Sequence, residues 1–249
     1  MSGIFDPDTE AELKKILGSL SKKLVDVLVV SKSSGEHSHE HHERDSEDEH
    51  HHHDECPTCE EAKLLASELA RISEGKLVFE ILYHDDEKVK FFKPRYLPAF
   101  IYDTPKRNIR YYGLPSGQEF APFIFIHEYL SNGVKLSKKV VEELEGIDTS
   151  LHVKIFVTPE CPYCPLVVDF FNQAGIVNSE IIVETIEALE NPIEADMYGV
   201  QYVPYVAIND PRDYEKYGAK PVEVIPGYMQ PEDNVKILKK AARKLKSGR

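Results

Sequence analysis

One layout occurs twice in this chain of 249 residues: a Cys-x-x-Cys motif, followed later by an apolar residue and a proline. The first copy combines Cys56-Pro57-Thr58-Cys59 with Leu97-Pro98, and the second combines Cys161-Pro162-Tyr163-Cys164 with Val203-Pro204. The separation between first cysteine and proline differs by only one residue between the copies. This regularity predicts an internal duplication, so we expect two similar folded units.

The paired cysteines indicate thiol–disulfide chemistry. At a strand-to-helix turn, unpaired backbone N–H groups and the helix dipole lower the pKa of the first thiol. We therefore expect Cys56 and Cys161 to be exposed attacking thiols, and Cys59 and Cys164 to be resolving thiols one turn deeper. Such redox-active disulfides need no further cofactor. The alternative, in which each pair is half of one zinc site, is disfavoured because each pair belongs to its own helix start.

Composition limits the partners and the compartment. The formal net charge is −13, and an acidic tract at positions 36–55 carries most of it. Without a basic stripe, the chain is not expected to bind nucleic acid, and its acidity disfavours anionic membranes. No run approaches the roughly 18 apolar residues that would span a bilayer. The polar start lacks a secretory signal, and all four cysteines lie in the two pairs, so we expect a cytoplasmic protein.

A tract rich in Ser, His and acids interrupts the first unit at positions 31–55, and we interpret it as an insertion without an apolar face. It holds eight of the eleven histidines, including the consecutive His50, His51, His52 and His53. Imidazoles among carboxylates bind Zn or Ni, so these four are candidate metal ligands. The simpler interpretation is adventitious affinity; physiological metal storage or metal control of the first cysteine pair is the alternative.

The hydrophobic pattern predicts an α/β fold with two tandem units, each a central mixed sheet flanked by helices. The units are expected at residues 1–131 and 132–249. In each, a helix precedes a β-α-β segment, a further helix, a β-hairpin and a closing helix. The key strands are 24–30 and 151–157, each leading to a helix predicted to begin at the first cysteine, over 56–72 and 161–174. Further helices are predicted over 85–92 and 119–130.

This order resembles two fused thioredoxin folds. Specifically, Val157-Thr158-Pro159-Glu160-Cys161-Pro162-Tyr163-Cys164-Pro165-Leu166 and Arg110-Tyr111-Tyr112-Gly113-Leu114-Pro115-Ser116-Gly117-Gln118-Glu119-Phe120 resemble the protein disulfide oxidoreductases of thermophilic archaea and bacteria. The resemblance covers the whole chain except positions 31–55. It implies that Pro98 and Pro204 are cis-prolines, and that Leu97 and Val203 before them pair with extended substrates. It also implies protein dithiol and disulfide substrates and a thioredoxin-reductase-like flavoenzyme as electron donor.

Two features near the second motif bear on the mechanism. The Pro-Tyr dipeptide between Cys161 and Cys164 is typical of glutaredoxins, which suggests that the second site is the better general exchanger. The buried Asp that accepts a proton in thioredoxins is replaced by Ile155, so Glu160 and Glu184 become candidate proton acceptors. Two other functions stay open: a metal-buffering protein, and an electron donor dedicated to a peroxidase such as a peroxiredoxin.

Overall fold

The computed structural model describes residues 3–32, 56–216 and 218–248, and this part of the chain forms eight α-helices and eight β-strands. The first half contains α1 (Pro7–Gly18), β1 (Leu24–Val30), α2 (Cys59–Ile72), β2 (Leu77–Tyr83), α3 (Val89–Phe92), β3 (Ala99–Ile101), β4 (Ile109–Tyr112) and α4 (Phe120–Asn132). The second half contains α5 (Lys138–Glu145), β5 (Leu151–Val157), α6 (Cys164–Val177), β6 (Ile181–Glu187), α7 (Pro192–Met197), β7 (Tyr205–Asn209), β8 (Glu223–Pro226) and α8 (Pro231–Ser247).

All eight strands form one mixed sheet, in the order β2-β1-β3-β4-β6-β5-β7-β8. Each half contributes a parallel pair, β1 with β2 or β5 with β6, and an antiparallel hairpin, β3 with β4 or β7 with β8. Strands β4 and β6 pair in parallel and join the halves. The prediction of two tandem α/β units with mixed sheets is therefore confirmed, and their sheets are continuous.

Successive side chains of a strand point to opposite faces of the sheet, and in β1 they enter two different cores. In β1, Leu24, Leu28 and Val30 belong to a large core that also contains the buried faces of α2, α4, α6 and α8. Val27 and Val29 point to the opposite face, where a smaller core includes residues of α3 and α7. Because both faces are covered, β1 is apolar almost throughout, as is typical of a central strand. No described helix is long and apolar enough to cross a membrane.

Both cysteine-motif helices begin later than the sequence pattern predicts. Helices α2 and α6 start at Cys59 and Cys164, the second cysteine of each pair. In the first motif, Pro57 and Thr58 form a turn instead, in which the Cys59 N–H donates to the Cys56 carbonyl at 3.3 Å, and in the second motif Pro162 and Tyr163 form a bend. The residue before each helix, Thr58 or Tyr163, has ψ near zero and lies outside the regular helix.

Two other predicted helices differ at their starts. Helix α3 occupies only the last part of the predicted 85–92 segment, because Asp86 accepts the Tyr83 N–H and closes a turn before it. The helix predicted from Glu119 begins at Phe120, after a 3-10 turn over Gly117–Glu119. This 3-10 turn packs against the loop that precedes the second cysteine motif.

Candidate active site

The two cysteine pairs lie at the same end of the sheet. Strands β1 and β5 run in the same direction, and three strands, β3, β4 and β6, separate them. With about 4.8 Å between neighbouring strands, the two sites are roughly 20 Å apart. Both pairs are disulfide-bonded, with Cα–Cα distances of 5.4 Å for Cys56–Cys59 and 5.5 Å for Cys161–Cys164. We call these pairs the first and second cysteine sites.

At the second site a backbone donor points at the outer sulfur. The Cys164 N–H, at the start of α6, donates to Cys161 Sγ at 3.1 Å. A hydrogen bond to sulfur favours the thiolate over the thiol once the disulfide opens. Cys161 is 7% exposed and Cys164 is 0% exposed. The predicted order of depth is therefore present, but Cys161 presents only an edge to solvent rather than an exposed sulfur.

At the first site the donors point at the inner sulfur. Ser31, directly after β1, lies with its backbone N at 3.4 Å and its Oγ at 3.8 Å from Cys59 Sγ. Cys56 is partly exposed and Cys59 is 3% exposed. The same Cys-x-x-Cys frame thus places polar donors on different sulfurs in the two sites.

The proline loops have the same geometry in both halves. The Leu97–Pro98 and Val203–Pro204 peptide bonds are cis, and both prolines are buried. Each proline carbonyl accepts the N–H of a glycine after the hairpin: Gly113 donates to Pro98 and Gly227 to Pro204, both at 3.0 Å. The pairing of Leu97 and Val203 with an extended substrate stays a prediction.

Exposed aromatic and aliphatic side chains surround the second site. Tyr163, inside the motif, is 58% exposed and its ring stacks near that of Tyr228, with centroids 6.4 Å apart. Leu166 on α6 and Tyr202 before the cis-proline are also about half exposed. We call Tyr163, Leu166, Tyr202 and Tyr228 the apolar rim. Partly exposed tyrosines are common at protein–protein contacts, because they combine an apolar ring with a polar tip.

At the first site, the residues that correspond to the apolar rim are polar or form hydrogen bonds to the second half. Thr58 replaces Tyr163, and its hydroxyl donates to Glu190 of the second half at 2.5 Å. Glu61 replaces Leu166 and is exposed. Tyr96 replaces Tyr202, but it is half-buried and its hydroxyl donates to Glu194, also of the second half. Two side chains around the first site are therefore held by hydrogen bonds to the second half.

Neither predicted proton acceptor suits that role. Glu160 is exposed in the loop before Cys161. Glu184 is completely buried on β6, where its Oε2 lies 2.8 Å from His152 Nε2 and its Oε1 accepts from Tyr112 and Tyr214. Burial alone would raise the Glu184 pKa, but the charges of His152, Lys154 and Arg110 bring it below its usual value. Glu184 is thus an ionised structural carboxylate.

Glu119 has the properties that those two residues lack. It is 0% exposed, and neither of its carboxyl oxygens has a hydrogen-bond partner among the described residues. Its 3-10 turn packs on the second site: Gln118 N donates to Pro159 O at 2.8 Å, two residues before Cys161. Burial, with the nearby charge of Glu187, raises the pKa of Glu119 to about 8. The position is marked in sequence only by lying within the Gly117-Gln118-Glu119-Phe120 segment.

The candidate metal ligands His50, His51, His52 and His53 lie outside the described residues, so their prediction stays untested. Within the described ranges, no group of three or more His, Cys, Asp and Glu side chains could hold a metal ion.

Comparisons with known proteins agree with this architecture. A family model described as a thioredoxin domain matches residues 151–216. The structure of a protein disulfide oxidoreductase from Aeropyrum pernix K1 superposes with a TM-score of 0.76 at 25% identity, covering 97% of this chain and 96% of that chain. The N-terminal domain of the alkylhydroperoxide reductase AhpF from Enterococcus faecalis shares the fold, with a TM-score of 0.74 at 18% identity, covering 94% and 99% of the two chains.

Curated relatives include a component of alkyl hydroperoxide reductase from Staphylococcus aureus, which is 23% identical over 171 residues. The match covers 60% of this chain and 33% of that protein, so the chain spans about a third of the length of such relatives. The fold is thus similar to that of the Aeropyrum pernix protein disulfide oxidoreductase, and each half of this chain carries a Cys-x-x-Cys disulfide.

Proposed function

We propose that this tandem thioredoxin-fold protein catalyses thiol–disulfide exchange with protein substrates. The observation that carries the proposal is the second site: a Cys-x-x-Cys disulfide at a helix start, with a backbone N–H on the outer sulfur, beside a cis-proline loop. Each cysteine pair itself carries two electrons in its dithiol form and accepts two in its disulfide form, so the reaction needs no bound cofactor. A reducing cytoplasm is the proposed compartment, because no cysteine is used outside the two pairs.

In the reducing direction, the Cys161 thiolate attacks one sulfur of a substrate disulfide and displaces the other as a thiolate. Cys164 then attacks Cys161 Sγ in the mixed disulfide. This second step releases the remaining substrate sulfur and forms the Cys161–Cys164 disulfide. Two electrons pass to the substrate, and two protons complete its thiols. The reverse sequence forms a substrate disulfide, and Cys56 and Cys59 are assigned the same roles at the first site.

Glu119 is the proposed acceptor of the Cys164 proton. Cys164 is fully buried, so its thiol must lose a proton without direct access to solvent. A buried carboxyl group with a pKa of about 8 is well matched to a thiol, whose ordinary pKa is about 8.5, and the ionised fraction of Glu119 at neutral pH is the form that accepts the proton. Once the proton has moved, the thiolate is ready to resolve the mixed disulfide.

The apolar rim and the Val203–Pro204 loop form the proposed substrate surface of the second site. An extended segment would lie along the backbone of Val203 while its apolar side chains contact Tyr163 and Tyr202. At the first site, Leu97 and Pro98 take the corresponding place. A thioredoxin-reductase-like flavoenzyme is the proposed source of electrons.

The test is reduction of insulin disulfides by dithiothreitol, which the wild-type protein should accelerate. Replacing both Cys56 and Cys161 by Ser should bring the rate down to that of dithiothreitol alone. Full activity in this double variant would overturn the proposal, since no attacking thiol would remain in either motif.

A second candidate is an electron donor dedicated to a peroxidase. The likeness to alkyl hydroperoxide reductase components supports it. Reduction of a purified two-cysteine peroxiredoxin at least about tenfold faster than insulin would favour this candidate. Comparable rates would favour the general protein substrate.

A further inference from the structure

The first cysteine site contains a carboxylate contributed by the other half of the molecule. Glu190 follows β6, which belongs to the second half, yet its Oε2 accepts the Thr58 hydroxyl at 2.5 Å. Thr58 lies between Cys56 and Cys59 and directly precedes α2. A negative charge thus lies one hydrogen bond from the centre of the first motif.

Several contacts fix the position of this carboxylate. Glu190 Oε1 accepts the Leu114 N–H at 2.8 Å, and the Glu190 N–H donates to Glu187 Oε2 at 2.6 Å. Gly113 comes so close that an added Cβ would lie 3.1 Å from Glu190 Oε1. Glu190 is also half-buried, so its charge is less screened than that of a fully solvated side chain.

The environment of Cys56 determines how strongly the Glu190 charge affects its thiol. At the second site, the Cys164 N–H supports the Cys161 sulfur, but among the described contacts the donors of the first site, from Ser31, reach Cys59 instead. The other charges in the first turns of α2 are Glu60 and Glu61, which are exposed, and Lys63, which pairs with Glu60 at 2.6 Å. Thr58 forms no capping hydrogen bond to α2, because its hydroxyl is directed to Glu190.

We propose that Glu190 is a positioning residue of the first cysteine site, which holds Thr58 and makes that site the more reducing of the two. The inference rests on the proposed role of Cys56 as an attacking thiol. Reducing the Cys56–Cys59 disulfide consumes two electrons and two protons, and ionisation of Cys56 then returns one proton to solvent. A neighbouring carboxylate disfavours that ionisation by like-charge repulsion. It therefore destabilises the reduced form relative to the disulfide and lowers the reduction potential.

The experiment places Glu190→Gln in a chain whose second site is silenced by Cys161→Ser and Cys164→Ser. The pH dependence of Cys56 alkylation by iodoacetamide, followed by peptide mass spectrometry, gives the pKa of its thiol. Equilibration with glutathione redox buffers at pH 8 gives the potential. We expect alkylation about three- to tenfold faster at pH 7. The equilibrium constant should shift by up to about tenfold toward the dithiol, equivalent to about 30 mV.

Two controls distinguish an electrostatic effect of Glu190 on Cys56 from a purely structural role of Glu190. Glu61→Gln removes an exposed charge from the same helix start and should have less than half the effect. Glu190→Gln in a chain carrying Cys56→Ser and Cys59→Ser should leave the potential of the second site unchanged. Unchanged alkylation and potential at the first site, with or without a loss of stability, would overturn the proposal, as would an equal shift at both sites. Alkylation reports on Cys56 even if the protein turns over no substrate, so failure of the proposed function is distinguishable.

Discussion

The two cysteine sites share a backbone frame and differ in what surrounds it. Both follow equivalent strands and precede a long helix, and in both halves a cis-proline, whose carbonyl accepts a glycine N–H, lies just before the strand that pairs with the strand leading to the cysteines. At the second site, Tyr163 and Tyr202 are exposed, whereas their counterparts Thr58 and Tyr96 are bound by Glu190 and Glu194. The strand, the helix and the cis-proline are thus the same in both halves, whereas the junction between the halves gives the two cysteine sites different surroundings.

The junction explains this asymmetry. Strand β4 of the first half pairs with β6 of the second, so the residues after β6 come beside the first site. Strand β8 of the second half occupies the position that corresponds to β4, and among the described residues it pairs only with β7. In a head-to-tail arrangement of two copies, one site is therefore braced by its neighbour and the other is left open.

The largest expected effect separates the two attacking thiols. Because Cys161 has the apolar rim and a backbone donor, Cys161→Ser should lower insulin reduction by about 100-fold or more. Cys56→Ser, the matched control, should retain most of the activity. Initial rates with dithiothreitol as donor check this. Equal losses in the two variants would mean that the apolar rim gives the second site no advantage.

The equivalent glycines Gly113 and Gly227 test the junction itself. Both have positive φ, 103° and 78°, so Ala strains the backbone at either position by about 1 kcal/mol or more. At Gly113, the new Cβ would also lie 2.8 Å from Glu187 Cβ, whereas no atom of the described residues lies within 4 Å of a Cβ at Gly227. Overpacking should add about 1–3 kcal/mol to Gly113→Ala. Urea unfolding measures the loss of stability in each variant. Equal losses would show that the contact between Gly113 and Glu187 accommodates the added methyl group without further loss of stability.

Glu119 tests the proton path of the second site. Glu119→Gln keeps the shape of the side chain but cannot accept the Cys164 proton, so insulin reduction should fall about tenfold, or about 1.4 kcal/mol in activation free energy. Glu160→Gln, which changes an exposed carboxylate near the same motif, is the control and should change the rate little. Resolution of a mixed disulfide at an undiminished rate in Glu119→Gln would remove Glu119 from the mechanism.

The raised pKa of Glu119 also predicts how stability depends on pH. The folded state keeps a proton on Glu119 up to about pH 8, while the unfolded chain loses it near the ordinary value of 4.5. Stability from this group is present at low pH and decreases as pH rises from about 5 to 8, by at most about 1.4 kcal/mol per unit. The titratable groups facing it are Glu187, Tyr102 and Tyr111. Urea unfolding at several pH values should show a flatter profile for Glu119→Gln, and parallel profiles would contradict this.

The sequence predicts the strand, the cysteine pair and the proline loop of both sites, because these features are local in sequence and occur twice. The strands 24–30 and 151–157 are recognisable from their β-branched apolar residues, and the spacing of cysteine and proline places each loop. The pattern places the helix starts too early, because it cannot show that the residues between the cysteines form a turn. It does not reveal Glu119, whose burial depends on the packing of a 3-10 turn against Pro159. The Thr58–Glu190 contact joins residues distant in sequence, and the order of strands at the junction determines it.

The smallest effect concerns the apolar rim. Tyr163→Thr gives the second motif the residue that the first motif carries, and it removes the ring that stacks near Tyr228. If substrates contact this ring, KM for insulin should rise about threefold with little change in kcat, since one partly exposed aromatic contact contributes about 0.5–1.5 kcal/mol. Phe91→Thr, which removes an exposed aromatic ring from α3 on the opposite face of the sheet, should leave KM unchanged. A lower kcat with unchanged KM would instead indicate that Tyr163 acts on the chemistry of Cys161, and the rim would lose its assigned role in binding.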